Sequence, residues 1–139
     1  MFIGEYRHNI DSKGRLMLPA KLREKLGEEF IFSRGLDKCV CIYPVEEWKN
    51  FTAKIEELPV ARERHVRRYF FSGATEGTPD GQGRVTLTQT HREFANLKKE
   101  VVIVGNCTHL EIWSAEEWDA EQAKVTNVDV IQDLIELGF

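Results

Sequence analysis

Apolar and polar positions alternate twice along the chain in the same way. Arg15-Leu16-Met17-Leu18 and Arg84-Val85-Thr86-Leu87-Thr88 each read as a half-buried strand. The alternation puts Leu16, Leu18, Val85 and Leu87 on the core face and Arg15, Met17 and Arg84 on the other. An extended piece from Gly4 to Ile10 precedes the first strand. Between them lies a turn, Asp-Ser-Lys-Gly in the first copy and Asp-Gly-Gln-Gly in the second. Aspartate opens such turns by accepting from nearby backbone N–H groups, and Gly14 and Gly83 supply the positive φ.

The period then changes to that of a helix. Pro19 starts it, Leu22 and Leu26 lie one turn apart, and Gly27 is placed to cap it. A weaker copy runs from Gln89 to Asn96. Hairpins follow: residues 30–32 and 39–43 about a turn at Gly35, and residues 101–104 and 109–113 about a turn at Gly105-Asn106. Helices are predicted over 45–58, with Trp48, Phe51, Ile55 and Leu58 on one face, and over 115–125. From Ala61 to Phe71 the apolar spacing of Val66, Tyr69 and Phe70 continues as helix. Its Arg62, Arg64, Arg67 and Arg68 read as a solvated face or a subunit contact. Val128, Ile131, Leu134 and Ile135 form a last stripe, to cap the chain's own core or to dock on a neighbour.

These parallels are a tandem repeat. At an offset of 69 residues Asp11 to Arg15 falls on Asp80 to Arg84, and Arg23-Glu24 on Arg92-Glu93. After one inserted residue, at an offset of 70, Gly35 falls on Gly105 and Glu46-Glu47-Trp48 on Glu116-Glu117-Trp118. The expected organisation is a first module over 4–48, a helical connector over 49–72, a second module over 73–118 and a helical extension over 119–139. The fold class is α+β.

Composition narrows the function classes. The chain has 139 residues, 42% of them hydrophobic and 30% charged, which suits one domain with a core of its own. No apolar run approaches the roughly 20 residues of a spanning helix, and no signal peptide is visible. The three cysteines are therefore expected to be reduced thiols in a cytoplasm. The net charge of −4 hides an asymmetry. Residues 1–27 carry six cations and three anions, a balance of +3, whereas residues 111–139 carry eight anions and only Lys124, a balance of −7. A basic end of this kind points to a polyanion partner.

Catalytic chemistry finds no support. Gly81-Gln82-Gly83 lacks the rest of a phosphate-binding loop. Neither a Gly-x-Ser-x-Gly elbow nor a His-Glu-x-x-His motif occurs. Glu46-Glu47 and Glu116-Glu117 fall in first helical turns, where they complement the dipole. Cys39 and Cys41 share a strand face, and His109 aligns with Cys39. That set has neither zinc-finger spacing nor an evident fourth ligand, so the cysteines read as small buried or half-exposed thiols. The expectation is a binding scaffold, not an enzyme, with no cofactor and no metal.

The Asp-x-x-Gly-Arg turn, the alternating strand, Pro19 and Arg23 resemble the AbrB-type swapped-hairpin DNA-binding module. Two tandem copies, opened by Met1-Phe2-x-Gly4-Glu5, are similar to the MraZ family of bacterial transcriptional regulators over essentially the whole chain. The resemblance implies two intertwined hairpin units forming a pseudo-two-fold β-barrel core flanked by helices, assembled further into a ring. It implies binding to short repeated sites in double-stranded DNA upstream of the protein's own gene. It further implies regulation, usually repression, of the operon for cell division and wall synthesis, and a cytoplasmic, nucleoid-associated location without membrane attachment.

On the residues themselves, an arginine presented just past a tight turn can pair bidentately with a guanine edge or grip a phosphate. The expected DNA contacts are Arg15, Lys13, Arg7, Arg84, Lys21 and Arg23, with Asp11, Gly14, Asp80 and Gly83 shaping the turns. The first copy keeps cations where the second has Glu76, Gln82 and Thr90, so the first is the main DNA face. A different class of reading is an antitoxin-like or oligomeric interaction module that holds a protein partner through the acidic C-terminal residues.

Overall fold

The computed structural model describes residues 1–139, the side chain of Arg62 excepted, so the expectation for that side chain lies outside the described residues. The elements in order are β1 (Glu5–Asn9), β2 (Arg15–Met17), α1 (Ala20–Leu26), β3 (Phe30–Arg34), β4 (Cys39–Pro44), α2 (Val45–Glu56), α3 (Val60–Ser72), β5 (Thr75–Gly77), β6 (Arg84–Thr86), α4 (Gln89–Phe94), β7 (Glu100–Asn106), β8 (His109–Ser114), α5 (Ala115–Lys124) and α6 (Asn127–Glu136). The fold class is α+β, and every described strand pair is antiparallel.

Each repeat lends its first strand to the other. The main sheet runs β1-β7-β8-β4-β3-β5, so β1 of the first repeat pairs with the second repeat's hairpin, and β5 of the second with the first's. The remaining strands, β2 and β6, leave this sheet after their glycine turns and pair with each other. The six-stranded sheet is not itself closed into the barrel expected from the resemblance. The sheet stays open at β1 and β5, because the strands that follow each edge are used in the separate ribbon.

An approximate two-fold relation is visible in the registers. Leu16 pairs with its repeat counterpart Val85, and Cys41 with its counterpart Glu111. On either side, Arg15 faces Thr86 as Met17 faces Arg84, and Val40 faces Ile112 as Ile42 faces Leu110.

The register also revises the sequence alignment. Phe30 faces Pro44 as Val101 faces Ser114, an offset of 71 at β3 and β7, and the second hairpin then closes with one residue fewer. Its turn is Cys107-Thr108, with Cys107 at φ +60°, and not Gly105-Asn106. Gly105 lies inside β7. A Cβ there would collide with the backbone of Ile3, so this glycine admits the N-terminal segment, which bridges Phe2 to Cys107.

Alternation along the central strands feeds two cores. Val40, Ile42, Val101, Ile103, Leu110 and Ile112 point to one face, where Leu16, Leu18, Val85 and Leu87 of the ribbon and Leu22 and Leu26 of α1 close over them. Cys39, Cys41, Tyr43, Val102 and Trp113 point to the other, beneath Trp48 of α2, Phe70 of α3 and Trp118 of α5. Burial on both sheet faces is why these strands carry almost no exposed polar residue. Arg34 ties α3 down by donating to the Tyr69 carbonyl at 2.8 Å and lying over the Tyr69 ring.

Helix α6 is built differently. Thr126 and Asp129 form a reciprocal capping box at its start. Yet every residue of it is exposed, Val128 at 73% and Ile135 at 59%, so the stripe does not cap the chain's own core.

Candidate nucleic-acid interface

The two Asp-Gly turns are built alike. Asp11 Oδ1 accepts from the backbone N–H groups of Lys13 and Arg15, both at 2.9 Å, and Oδ2 from Arg15 Nε at 2.6 Å. Asp80 does the same with Gln82, Arg84 and Arg84 Nε, at 2.9, 2.9 and 2.8 Å. One carboxylate thus closes each turn and fixes the arginine beyond it. The cost of protonating it follows: Asp11 is held at about 2, first by the Arg15 backbone N–H and then by its side chain, and Asp80 is lowered for the same reasons. Gly14 and Gly83 sit at φ +80° and +79°, where an L side chain is strained.

The ribbon then brings the two arginines together. Arg15 lies opposite Thr86, and Arg84 opposite Met17. Arg15 and Arg84 are therefore diagonal neighbours, roughly 7–8 Å apart on one face. That face points away from the sheet, because the intervening Leu16 and Val85 are buried beneath it. Each ion pair engages only Nε. Arg15 and Asp11 keep 32% and 37% side-chain exposure, Arg84 and Asp80 somewhat less.

The other predicted cations divide. Lys13 is exposed at the tip of its turn, and Lys21 is exposed on α1 directly after β2. Arg23 is half-buried, donates from Nε to the Leu18 carbonyl at 3.0 Å, and lies against Gly83 in the other repeat's turn. Its counterpart Arg92 lies against Gly14. Arg7 is on the far side. It shares the sheet face of its register partner Val102, where Nη2 donates to Asp119 of α5 at 2.7 Å. Alternation along β1 turns it away from the ribbon. Of the connector arginines, Arg64 and Arg68 are exposed, while Arg67 donates to the Glu56 carbonyl.

Comparison with known proteins bears on what such a face is for. The family described as "MraZ protein, putative antitoxin-like" matches residues 1–68 and 70–134. The chain belongs to the MraZ family. Among curated MraZ proteins, the transcriptional regulator MraZ of Lactobacillus gasseri is 49% identical, over 96% of both chains. That of Desulforamulus reducens is 48% identical over 99% of both, and that of Clostridium tetani 44% over the full length of both. The two matched segments correspond to the two repeats of the MraZ fold. Among the described residues no helix is long and apolar enough to cross a membrane.

The sequence of this MraZ chain places Cys39 and Cys41 on one strand face but does not show that Glu111 joins them. Antiparallel pairing sets Cys39 opposite Trp113, and Cys41 opposite Glu111. The aligned His109 is thereby carried to the far end of the pair, where its ring stacks on Tyr43 at 4.5 Å. Glu111 takes the place beside the thiols. Its signal was a charged residue at a core-facing position of an alternating strand. A hydrogen bond shared with Cys41, and then burial, raise the Cys39 thiol, while that hydrogen bond, followed by His109, lowers Cys41.

Proposed function

We propose that this chain is a sequence-specific DNA-binding transcriptional regulator that docks the β2–β6 ribbon and its two turns on double-stranded DNA. The observation that carries the reading is the pair Arg15 and Arg84, presented diagonally on the outer face of a two-stranded ribbon. The major groove admits a ribbon of this kind, and a guanidinium fork can meet the O6 and N7 acceptors of guanine. Asp11 and Asp80 hold each fork by Nε and leave the outer Nη edge for the base. Lys13 and Lys21 supply phosphate contacts, which set position and not sequence. Arg23 acts through the other repeat's turn, and Arg7, paired with Asp119 behind the sheet, stands outside the interface. The exchanged first strands support the swapped-hairpin architecture that the resemblance implies, and they bring the two turns to one surface.

The regulated unit in this reading is the cell-division and cell-wall operon, repressed from short repeated sites upstream of the protein's own gene. The protein is then cytoplasmic and nucleoid-associated. A single copy with so few free cations binds weakly and with strong salt dependence. Copies joined head to tail into a ring, with α6 at the contacts, present the ribbon several times to repeated sites and gain effective concentration. The capping box and helical form of residues 127–136 favour this over a partner-holding arm of the antitoxin kind, for which an unstructured tail is expected.

The test is fluorescence anisotropy with a duplex from upstream of the gene. Binding that exceeds that of a scrambled duplex, and that falls when the repeats are deleted one by one, is expected. Equal affinity for both duplexes at physiological salt overturns the reading.

A further inference from the structure

On the sheet face away from the ribbon, the pseudo-two-fold relation passes through Cys41 and Glu111. The Sγ atoms of Cys39 and Cys41 and a carboxylate oxygen of Glu111 all lie within 4.8 Å of one another. We propose that these three side chains bind a thiophilic divalent cation of the zinc type, which clips the first repeat to the second.

The geometry is close to what such an ion needs. Zinc bond lengths to sulfur and oxygen put tetrahedral ligand atoms roughly 3.3–3.8 Å apart. The three ligand atoms lie within 4.8 Å of one another, the thiols on one face of β4 and the carboxylate at the paired position on β8.

The donor set selects the metal. Two thiolates and one carboxylate favour a borderline-soft ion, whereas calcium and magnesium take oxygen sets. Three protein ligands leave a fourth position for water, as in open zinc sites. A disulfide is the poorer use of these cysteines. Two residues apart on a strand, their Cα atoms stand about 6.6–6.8 Å apart with parallel side chains, at the upper limit of disulfide geometry.

The carboxylate is also held in place. Trp113 Nε1 donates to Glu111 Oε1 at 3.1 Å, and Asn106 Nδ2 to Oε2 at 3.3 Å. His109 Nε2 stands 3.9 Å from Oε2, its Nδ1 engaged by Thr108 Oγ1 at 2.9 Å. Outer partners of this kind orient metal ligands and are a regular part of such sites. Access is available: both cysteines are buried, but His109 and Glu111 keep 15% and 16% side-chain exposure.

The experiment uses the full-length, reduced, chelator-treated chain and Co²⁺ as the probe. One equivalent is expected to produce thiolate-to-cobalt charge transfer in the near ultraviolet and the visible bands of a tetrahedral site. Zn²⁺ is expected to abolish both and to raise the melting temperature. Cys39→Ser and Cys41→Ser remove the charge transfer, Glu111→Gln weakens Co²⁺ binding at least tenfold, and Cys107→Ser changes neither. Absence of a charge-transfer band in the parent chain overturns the proposal whatever the variants do. So does a band that survives Cys39→Ser and Cys41→Ser together. Should those variants not fold, the parent spectrum and Glu111→Gln, at a partly exposed position, decide. None of these readouts involves DNA, so the interface stands or falls separately.

Discussion

Arg23 of the first repeat packs its guanidinium against Gly83 of the second, so closely that a Cβ at Gly83 would stand 2.5 Å from Nη1. Arg92 repeats the relationship at Gly14, where a Cβ would meet Arg92 Nε at 2.8 Å and the Leu87 carbonyl at 2.7 Å. Each turn is therefore buttressed by an arginine from the other copy. Exchange of strands in the sheet is matched by exchange of side chains beneath the β2–β6 ribbon.

The first prediction follows from those contacts. Gly14→Ala and Gly83→Ala each combine positive φ with a steric conflict and should destabilise the fold by about 1–3 kcal/mol. Gly14→Ala should cost more, since its conflict includes backbone, which cannot swing aside as the end of Arg23 can. Urea denaturation of the two variants checks the order. Gly81→Ala, with open space around its Cα, is the control.

Arg15→Ala should weaken binding to the upstream duplex by about 1–3 kcal/mol per site engaged, with melting temperature and oligomer size retained. Arg84→Ala should weaken it less, because Gln82 stands where the first turn has Lys13. Lys13→Ala should act on specific and scrambled duplexes alike and flatten the salt dependence. Anisotropy across a salt series separates the three. Unchanged affinity in Arg15→Ala would remove that residue from the interface.

Acid should loosen the turns. Asp11 is held at about 2 in the folded chain against an ordinary 3.8, and Asp80 is lowered too. A carboxylate lowered by folding stabilises fully above its unfolded value, and that stability is lost as pH falls from about 3.8 toward 2. Denaturation midpoints measured from about pH 5 down to about pH 2 at fixed ionic strength should decline. The decline should be shallower in Asp11→Asn, which has one lowered carboxylate fewer to protonate.

Assembly is the fourth expectation. Val128, Ile131 and Ile135 are exposed at 73%, 56% and 59%, a stripe that a soluble helix presents when another surface covers it. Light scattering of the parent chain should give a mass well above twice 16.1 kDa. Ile131→Glu with Ile135→Glu should lower it while leaving far-ultraviolet dichroism unchanged. A parent mass at or below the dimer would refute the ring and remove the avidity argument with it.

Local pattern alone determined much of this protein. The repeat is visible as two copies of one short pattern, and the strand alternation that buries Leu16, Leu18, Val85 and Leu87, the glycine turns and the Asp11–Arg15 and Asp80–Arg84 pairs all depend on residues within a few positions of each other. Such interactions are written in spacing. The identity of strand partners is not, because any alternating strand offers the same hydrogen-bonding edge. Only the tertiary structure decided that β1 pairs with β7, that Arg15 meets Arg84 across a ribbon, and that Arg7 faces Asp119. The same pairing assigned Gly105 to a close approach instead of a turn, and left α6 uncovered. It also moved His109 away from Cys39 and put Glu111 beside Cys41. Residues 70 apart in sequence become neighbours only when an antiparallel register is chosen, and the burial of two opposite sheet faces chose it.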